Sequence, residues 1–337
     1  MPKRKNNIYL PNCIYEKIYE AYLTCKKGKS NRLDVIKFNM DLEENLKEIL
    51  KDLLTETYEF SAYKLFYVYE PKKRKILAAT FKDRIVHTWY VNSFILPYFV
   101  PSFVNTSYAC IKTKGMHMAA KEVQKGIRRC NYSNGYVIKM DVTKFFENIN
   151  RGKVYSLIER KIKDKKVLNL TQKILSSSSS FDEKRGISLP IGNYTSQMFA
   201  NIYLNELDRY VKDKLHVKWY YRYMDDVVAI VENKEKAKCY LSLIKEFVEH
   251  KLDLTLNNKT QIFKLKQGVN FCGYKINEKR MRIRDKGKKK FIKKLKWIDY
   301  NFNKGLINAK EAKRYIVGHL GYILHADISG LSKKYLS

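Results

Sequence analysis

Trp219-Tyr220-Tyr221-Arg222-Tyr223-Met224-Asp225-Asp226-Val227-Val228-Ala229-Ile230-Val231 is the stretch from which the fold is read. Aromatic and β-branched residues crowd both sides of Met224-Asp225-Asp226, which is the composition of buried strands. The two acids interrupt the apolar run where a tight turn falls, so the stretch reads as a β-hairpin with both carboxylates exposed at its tip. An Asp-Asp pair taken alone is an ordinary acidic turn. It becomes half of a metal site only if a neighbouring strand supplies a third carboxylate and the rest of the chain supplies a channel for a polyanion.

The third carboxylate is at hand. Gly135-Tyr136-Val137-Ile138-Lys139-Met140-Asp141-Val142-Thr143-Lys144-Phe145-Phe146 reads as a strong strand with one acid near its end, although an Asp there also suits a strand-to-helix cap. Gly186 to Gln197, containing Ile191-Gly192-Asn193-Tyr194-Thr195-Ser196-Gln197, leads into a helix expected over Met198 to Val211; Gly192 permits close backbone approach. A helix is expected over Lys234 to Leu252. Phe271-Cys272-Gly273-Tyr274 is read as a strand with an internal glycine. Upstream, helices are expected over Ile14 to Leu23 and Leu42 to Leu54, and a strand over Phe60 to Tyr69. Lys72 to Lys75 then forms a cationic hairpin, and Phe81 opens a long apolar helix that includes His87. Lys112 to His117 is a basic turn before a helix, of the kind that can hold an anion. Residues 151–175 are helical and basic, and Ser176 to Ser180 is a short flexible run.

Composition supplies the partner. The 337 residues are enough for a sizeable core divided into two or three subdomains, and the formal net charge is +33. Such an excess excludes most enzymes of small neutral substrates and calls for a polyanion, either nucleic acid or an acidic membrane surface. The 26 tyrosines and 16 phenylalanines among these cations suit base stacking, though many must be plain core. The six cysteines show no CxxC pair and no histidine at metal-ligand spacing, as in the reduced thiols of a cytoplasmic protein. The most apolar stretch, Val91 to Val104, is broken by Pro97 and Pro101 and is not a membrane span. Lys286 to Lys296 carries seven lysines around Phe291, Ile292 and Leu295. Without another membrane signal, this reads as a helix that grips a nucleic-acid backbone through Lys288, Lys289, Lys290, Lys293 and Lys294.

A strand with Asp141, then a glycine-containing loop and helix, then a Tyr-Met-Asp-Asp hairpin, in that order, resembles the reverse transcriptase family. Pro71 to His87 and Tyr108 to His117 look like its two fingers blocks, Lys259-Thr260 like its lysine-bearing motif, and Phe271 to Tyr274 like its primer grip. Most reverse transcriptases carry Gln-Gly-x-x-x-Ser-Pro where this chain has Ile191 to Gln197, with Ile for Gln and Gln for Pro. That departure is similar to reverse transcriptases of diversity-generating retroelements, as are Ser107-Tyr108-Ala109-Cys110 and Gly318-His319 with His325-Ala326-Asp327. Met116 departs from the Thr of that subfamily's second block.

The resemblance implies an α+β right-hand polymerase with an antiparallel palm sheet. Its parts would be fingers over 1–134 and 151–186, palm over 135–150 and 187–275, and a basic helical thumb over 276–337. It implies an RNA-directed DNA polymerase using two Mg²⁺ ions roughly 4 Å apart, with Mn²⁺ as a substitute; clustered aspartates are the hard-oxygen ligands such ions prefer. Asp141 and Asp225 would bridge the ions, Asp226 would contribute less directly, and the Val142 carbonyl would complete a shell. Phe146 would gate the sugar, its alternative being a core aromatic, a role that suits Phe145 better. Lys259 would protonate the leaving pyrophosphate or else be simply solvated. Arg74, Lys75 and Arg84 would meet the triphosphate, unless Arg84 pairs with Asp83. Ile191, Gly192 and Gln197 would lie by the incoming nucleotide, and His117 would be structural. Template RNA, primer and growing cDNA, deoxynucleoside triphosphates and a small basic oligomeric accessory protein are the implied partners, in the cytoplasm of a bacterial, archaeal or phage-bearing cell. The remaining length is too short for an RNase H or endonuclease segment. Competing readings are a retron-type or phage-defence reverse transcriptase, a catalytically silent RNA binder on a polymerase scaffold, and a basic membrane-surface protein; the last leaves the three aspartates unexplained.

Overall fold

Leu46, Ile49 and Leu53 are spaced to fall on one side of a helix, and Leu42–Leu54 folds as one with those three side chains buried. It belongs to the first of two compact units found in the computed structural model, which describes residues 3–69, 73–130, 132, 134–178 and 186–327. The first unit comprises Met1–Asn105, Val142–Tyr210 and Ile244–Leu256; the second comprises Thr106–Asp141, Val211–Leu243 and Asn257–Ser337.

The first unit opens with helices α1 (Tyr15–Lys26), α2 (Leu33–Met40) and α3 (Leu42–Leu54), of which α2 was not legible in the sequence. Strands β1 (Lys64–Val68) and β2 (Arg74–Ala78) pair antiparallel, so the strand expected over Phe60 to Tyr69 is shorter than read. Pro71 and Lys72, in the middle of the cationic hairpin, lie outside the described residues. Helix α4 (Phe81–Tyr90) starts at Thr80, whose hydroxyl accepts the Asp83 N–H at 3.2 Å. Phe81, Asp83 and every residue from Ile85 to Tyr90 are buried, polar ones included, while Lys82 and Arg84 stay partly exposed. Past Tyr90 the helix widens into a π turn over Val91–Ile95 and resumes as α5 (Leu96–Phe99). Pro97 has no N–H for the Ser93 carbonyl, which accounts for the loosened turn. No helix among the described residues is long and apolar enough to cross a membrane.

Helices α7 (Phe145–Asn148), α8 (Arg151–Glu159) and α9 (Lys165–Ser176) follow in this unit, then α10 (Tyr194–Arg209), which begins four residues earlier than the expected Met198. Asn193 precedes its first turn but does not cap it through the side chain, which holds the end of β2 instead, with Nδ2 donating to the Leu77 carbonyl at 3.2 Å and Oδ1 accepting the Ala79 N–H at 3.4 Å. Ser179 and Ser180, from the run read as flexible, lie outside the described residues.

The second unit is built on the four-stranded antiparallel sheet β4-β5-β3-β6, made of β3 (Tyr136–Met140), β4 (Trp219–Tyr223), β5 (Asp226–Val231) and β6 (Gln261–Lys264). Helix α6 (Met116–Cys130) buries Ala119, Ala120, Val123, Gly126, Ile127 and Cys130, a stripe of helical period, in the same core as Val137, Tyr221, Val228 and Ile230. A side chain at Gly126 would strike the Tyr221 ring, so glycine sets how closely the helix approaches the sheet. Helix α11 (Lys234–Leu252) belongs to this unit up to Leu243 and to the first from Ile244. A small second sheet, β7 (Val269–Phe271), β8 (Tyr274–Ile276) and β9 (Met281–Ile283), leads to α12 (Asp285–Asn303) and α13 (Ala309–Ile323). Phe271 to Tyr274 is therefore not one strand but a hairpin corner. Cys272 and Gly273 both take positive φ, 48° and 84°, as a two-residue hairpin turn demands.

Candidate active site

The hairpin read first from the sequence forms as expected. Tyr223 and Asp226 are its last registered pair, and Met224 and Asp225 make the turn. Met224 holds φ at 53°, a left-handed conformation that a side chain visits at a cost of about 1–3 kcal/mol. The restraint that sustains it is Arg222, fully buried in mid-strand. Its guanidinium donates to the Met224 carbonyl at 3.2 Å and to the Ser107 hydroxyl at 3.0 Å. The Ser107 segment runs alongside it: Arg222 N–H donates to the Thr106 carbonyl and Tyr108 N–H to the Arg222 carbonyl. A lone arginine inside Trp-Tyr-Tyr-Arg-Tyr is a readable signal, because a buried guanidinium must find acceptors. The two tip carboxylates are half-buried, not fully exposed as the sequence reading had them.

Strand register gathers the acids. Met140 pairs with Val227 across β3 and β5, so the next position on each strand sets Asp141 opposite Asp226. On the other flank Lys139 pairs with Gln261, the ladder then breaks at a turn over Asn258 and Lys259, and Asn257 is the residue that lies against Asp141. Asn257 tightens that flank: its N–H donates to the Asp141 carbonyl at 2.7 Å and its Oδ1 accepts the Lys259 N–H at 2.9 Å. Lys259 itself is exposed.

Lys139 sits at the centre of this arrangement. Period two puts it on the same sheet face as Asp141, and it is the diagonal neighbour of Asp226, with which it forms an ion pair. Its ammonium is held down to about 8, chiefly by burial and also by Arg284, against the opposing pull of Cys272, Asp141 and Asp225. Its Nζ lies 5.1 Å from the Phe271 ring centroid. Burial pushes the Cys272 thiol up to about 12.

Among the described residues no three His, Cys, Asp or Glu side chains form a ready-made metal cage. Asp226 nevertheless touches a cation, the Lys139 ammonium, and the charges of Asp141 and Asp225 also act on it. Hard oxygens beside a positive charge are the right donor set for a divalent ion such as Mg²⁺. Asp141 and Asp225 would hold it, and Asp226 would join on leaving Lys139.

The hairpin corner beside this face is tied to α13. The Tyr322 hydroxyl donates to the Gly273 carbonyl at 2.8 Å, and the Tyr274 hydroxyl donates to the Tyr322 carbonyl at 2.9 Å. His117 Nδ1 meets the Tyr274 hydroxyl at 2.7 Å, and its ring stacks on His325 at 3.9 Å. His117 thus has structural partners, as read. In α12, Lys288, Lys289, Lys290 and Lys293 are exposed. Lys294 is not: its Nζ lies 3.4 Å from the Trp297 ring centroid and 4.5 Å from that of Tyr315, so it links α12 to α13.

The remaining candidates lie in the first unit. Leu77 N–H donates to the Ile191 carbonyl at 3.2 Å, and Gly192, at φ 121°, passes so close to β2 that a Cβ would meet Ile76 at 3.2 Å. Arg74 and Lys75 stand on that same strand, Arg74 exposed, and Gln197 lies in the first turn of α10. Arg84 pairs not with Asp83 but with Asp34 at 2.7 Å, because the Asp83 carboxylate is taken by Tyr58, Ser61 and Thr80. Phe145 is buried whereas Phe146 is half-buried, its carbonyl accepting the Leu189 N–H at 2.7 Å. Val142 is buried and bridges to Leu256.

Known proteins resemble parts of this chain. Protein YkfC of Escherichia coli is 24% identical over 256 residues, covering 64% of this chain and 67% of that protein. The group II intron-encoded protein LtrA of Lactococcus lactis is 26% identical over 175 residues, 50% of this chain and 28% of LtrA. The retron Ec73 reverse transcriptase of Escherichia coli is 26% identical over 190 residues, 51% of this chain and 54% of that protein. The chain therefore spans less than two thirds of the last two. Apo telomerase from Candida tropicalis matches in structure with a TM-score of 0.49 at 12% identity, over 71% of this chain and 53% of that one. The profile of the family described as reverse transcriptase (RNA-dependent DNA polymerase) matches residues 70–276, more than half of the chain and all three aspartates, and this protein belongs to that family.

Proposed function

We propose that this chain is an RNA-directed DNA polymerase that copies a template RNA into adenine-mutagenised cDNA for a diversity-generating retroelement. The observation that carries the polymerase reading is the strand register that sets Asp141 opposite Asp226, next to Asp225 in the hairpin turn, within a reverse transcriptase family match. Two bound Mg²⁺ ions would activate the primer 3′ hydroxyl and stabilise the leaving pyrophosphate. The chain's own residues have simpler tasks. Arg222 fixes the turn that presents Asp225, and Asn257 holds the Lys259 turn against Asp141, within reach of a departing phosphate. Arg74 and Lys75 meet the triphosphate, Phe146 contacts the sugar, and the exposed α12 lysines bind backbone phosphates. Fingers, palm and thumb follow the boundaries drawn from the resemblance, and a small basic accessory protein joins the complex.

The mutagenic role rests on Ile191 and Gln197 standing where most relatives have Gln and Pro. The similarity to the Ec73 protein favours a second reading, a retron-type reverse transcriptase. Primer extension on an RNA template tests the polymerase. The parent protein should extend with Mg²⁺ and stop without it, while Asp225→Asn abolishes synthesis and still binds RNA. Normal extension by Asp225→Asn would overturn the assignment. Products whose errors concentrate opposite template adenine favour the retroelement, and evenly distributed errors favour the retron reading.

A further inference from the structure

Lys139 is an unusual neighbour for a metal site. Its ammonium touches Asp226 and is attracted by Asp141 and Asp225, so it stands where positive charge from a bound ion would act. Its side chain is 17% exposed, so its charge is poorly solvated and depends on the carboxylate it touches. Three aspartates at one end of adjacent strands repel one another, and like charges facing across a ladder destabilise it. The lysine relieves that repulsion in the metal-free chain. The Phe271 ring, with its centroid 5.1 Å from Nζ, offers the ammonium a second seat.

We propose that Lys139 is a resident counter-cation: it holds Asp226 and neutralises the aspartate cluster until a divalent ion binds, and the ion must displace its ammonium from Asp226. The proposal rests on the reading of Asp141, Asp225 and Asp226 as the metal carboxylates. Lys139 is then a positioning residue that acts through Asp226 and sets the affinity for the ion. A cation that competes for a shared carboxylate weakens metal binding, whereas a lysine that merely braces the sheet would strengthen it or leave it unchanged. The two roles therefore differ in sign.

Calorimetric titration of Mn²⁺ into the full-length, metal-free protein decides between them. Lys139→Met should bind Mn²⁺ roughly tenfold more tightly than the parent, the order expected when a unit charge a few Å away is removed. Lys139→Arg, which keeps the charge, should bind close to the parent. In an Asp226→Asn background the gain from Lys139→Met should shrink, since the shared carboxylate is gone and only the pull of Asp141 and Asp225 on the ammonium remains. Without metal, Lys139→Met should melt below the parent and recover on saturation with Mn²⁺. Lys139→Gln provides the same comparison should the Met variant fail to fold. Unchanged or weaker binding by both neutral variants, with binding still lost in Asp141→Asn, would leave the metal site standing and overturn the counter-cation. Binding that survives Asp141→Asn would overturn the carboxylate reading itself, and the proposal with it.

Discussion

At the scale of the residue, two side chains carry consequences that measurement can check. Ile191 contributes its backbone carbonyl to Leu77, and its side chain can neither donate nor accept a hydrogen bond. A polar contact that senses pairing geometry is worth roughly 1–3 kcal/mol, about one to two decades of discrimination. In the reading proposed above, Ile191→Gln therefore lowers misincorporation, chiefly opposite template adenine, without abolishing synthesis. Sequencing products from an RNA template of mixed composition checks this; equal error rates opposite adenine in parent and variant would remove Ile191 as the determinant. His87 makes a different prediction. It is wholly buried on α4, bonded at Nδ1 to the Thr195 hydroxyl at 3.0 Å, with Nε2 lacking a partner, and burial pushes its pKa down to about 3. The folded form thus resists a proton that the unfolded chain accepts below about 6.5. Its contribution to stability is intact above that pH and is lost as pH falls toward 3. Urea unfolding of His87→Leu between pH 7 and pH 4 should show a weaker loss of stability on acidification than the parent, and parallel losses would refute this.

At the scale of the element, the corner between β7 and β8 is where local geometry and packing meet. Gly273 has φ 84°, and a Cβ there would stand 2.2 Å from the Tyr322 hydroxyl that donates to the Gly273 carbonyl. Gly273→Ala suffers twice: the left-handed backbone costs about 1–2 kcal/mol, and the added methyl expels the hydroxyl that fastens α13. The variant should lose roughly 2–4 kcal/mol of stability, counting the abandoned carbonyl, and hydrogen exchange should quicken in α13 while the β3–β5 pairing stays protected. Protection in α13 equal to the parent would show that the corner does not hold that helix.

At the scale of the whole molecule, a formal net charge of +33 makes affinity for nucleic acid a matter of counterion release. Log affinity for single-stranded RNA should fall with log salt at a slope of about −0.7 per phosphate contacted. Replacing Lys288, Lys289 and Lys290 by Gln should flatten that slope and leave extension at low salt largely intact. An unaltered slope would take α12 out of the binding surface. Lys294 is left out of this set because its ammonium is already engaged by Trp297 and Tyr315.

What the sequence determined by itself is what short-range pattern carries. Alternation and apolar runs defined the Tyr-Met-Asp-Asp hairpin, the Asp141 strand, and the helices over Leu42–Leu54 and Lys234–Leu252, each with its period visible in a few turns or pairs. The order of those motifs was enough for the family. Tertiary structure decided what depends on contacts between segments far apart in the chain. Register across β3, β5 and β6 put Lys139 among the aspartates, although it had read as an ordinary strand residue. Packing took Lys294 away from the solvent, turned Arg84 toward Asp34, and tied the Asn193 side chain to β2. The corner at Phe271 to Tyr274 is fastened to α13 by the Tyr322 hydroxyl on the Gly273 carbonyl, a contact 49 residues along the chain. A buried charge or a bent strand is set by its partners, and partners at such separations leave no mark on local composition.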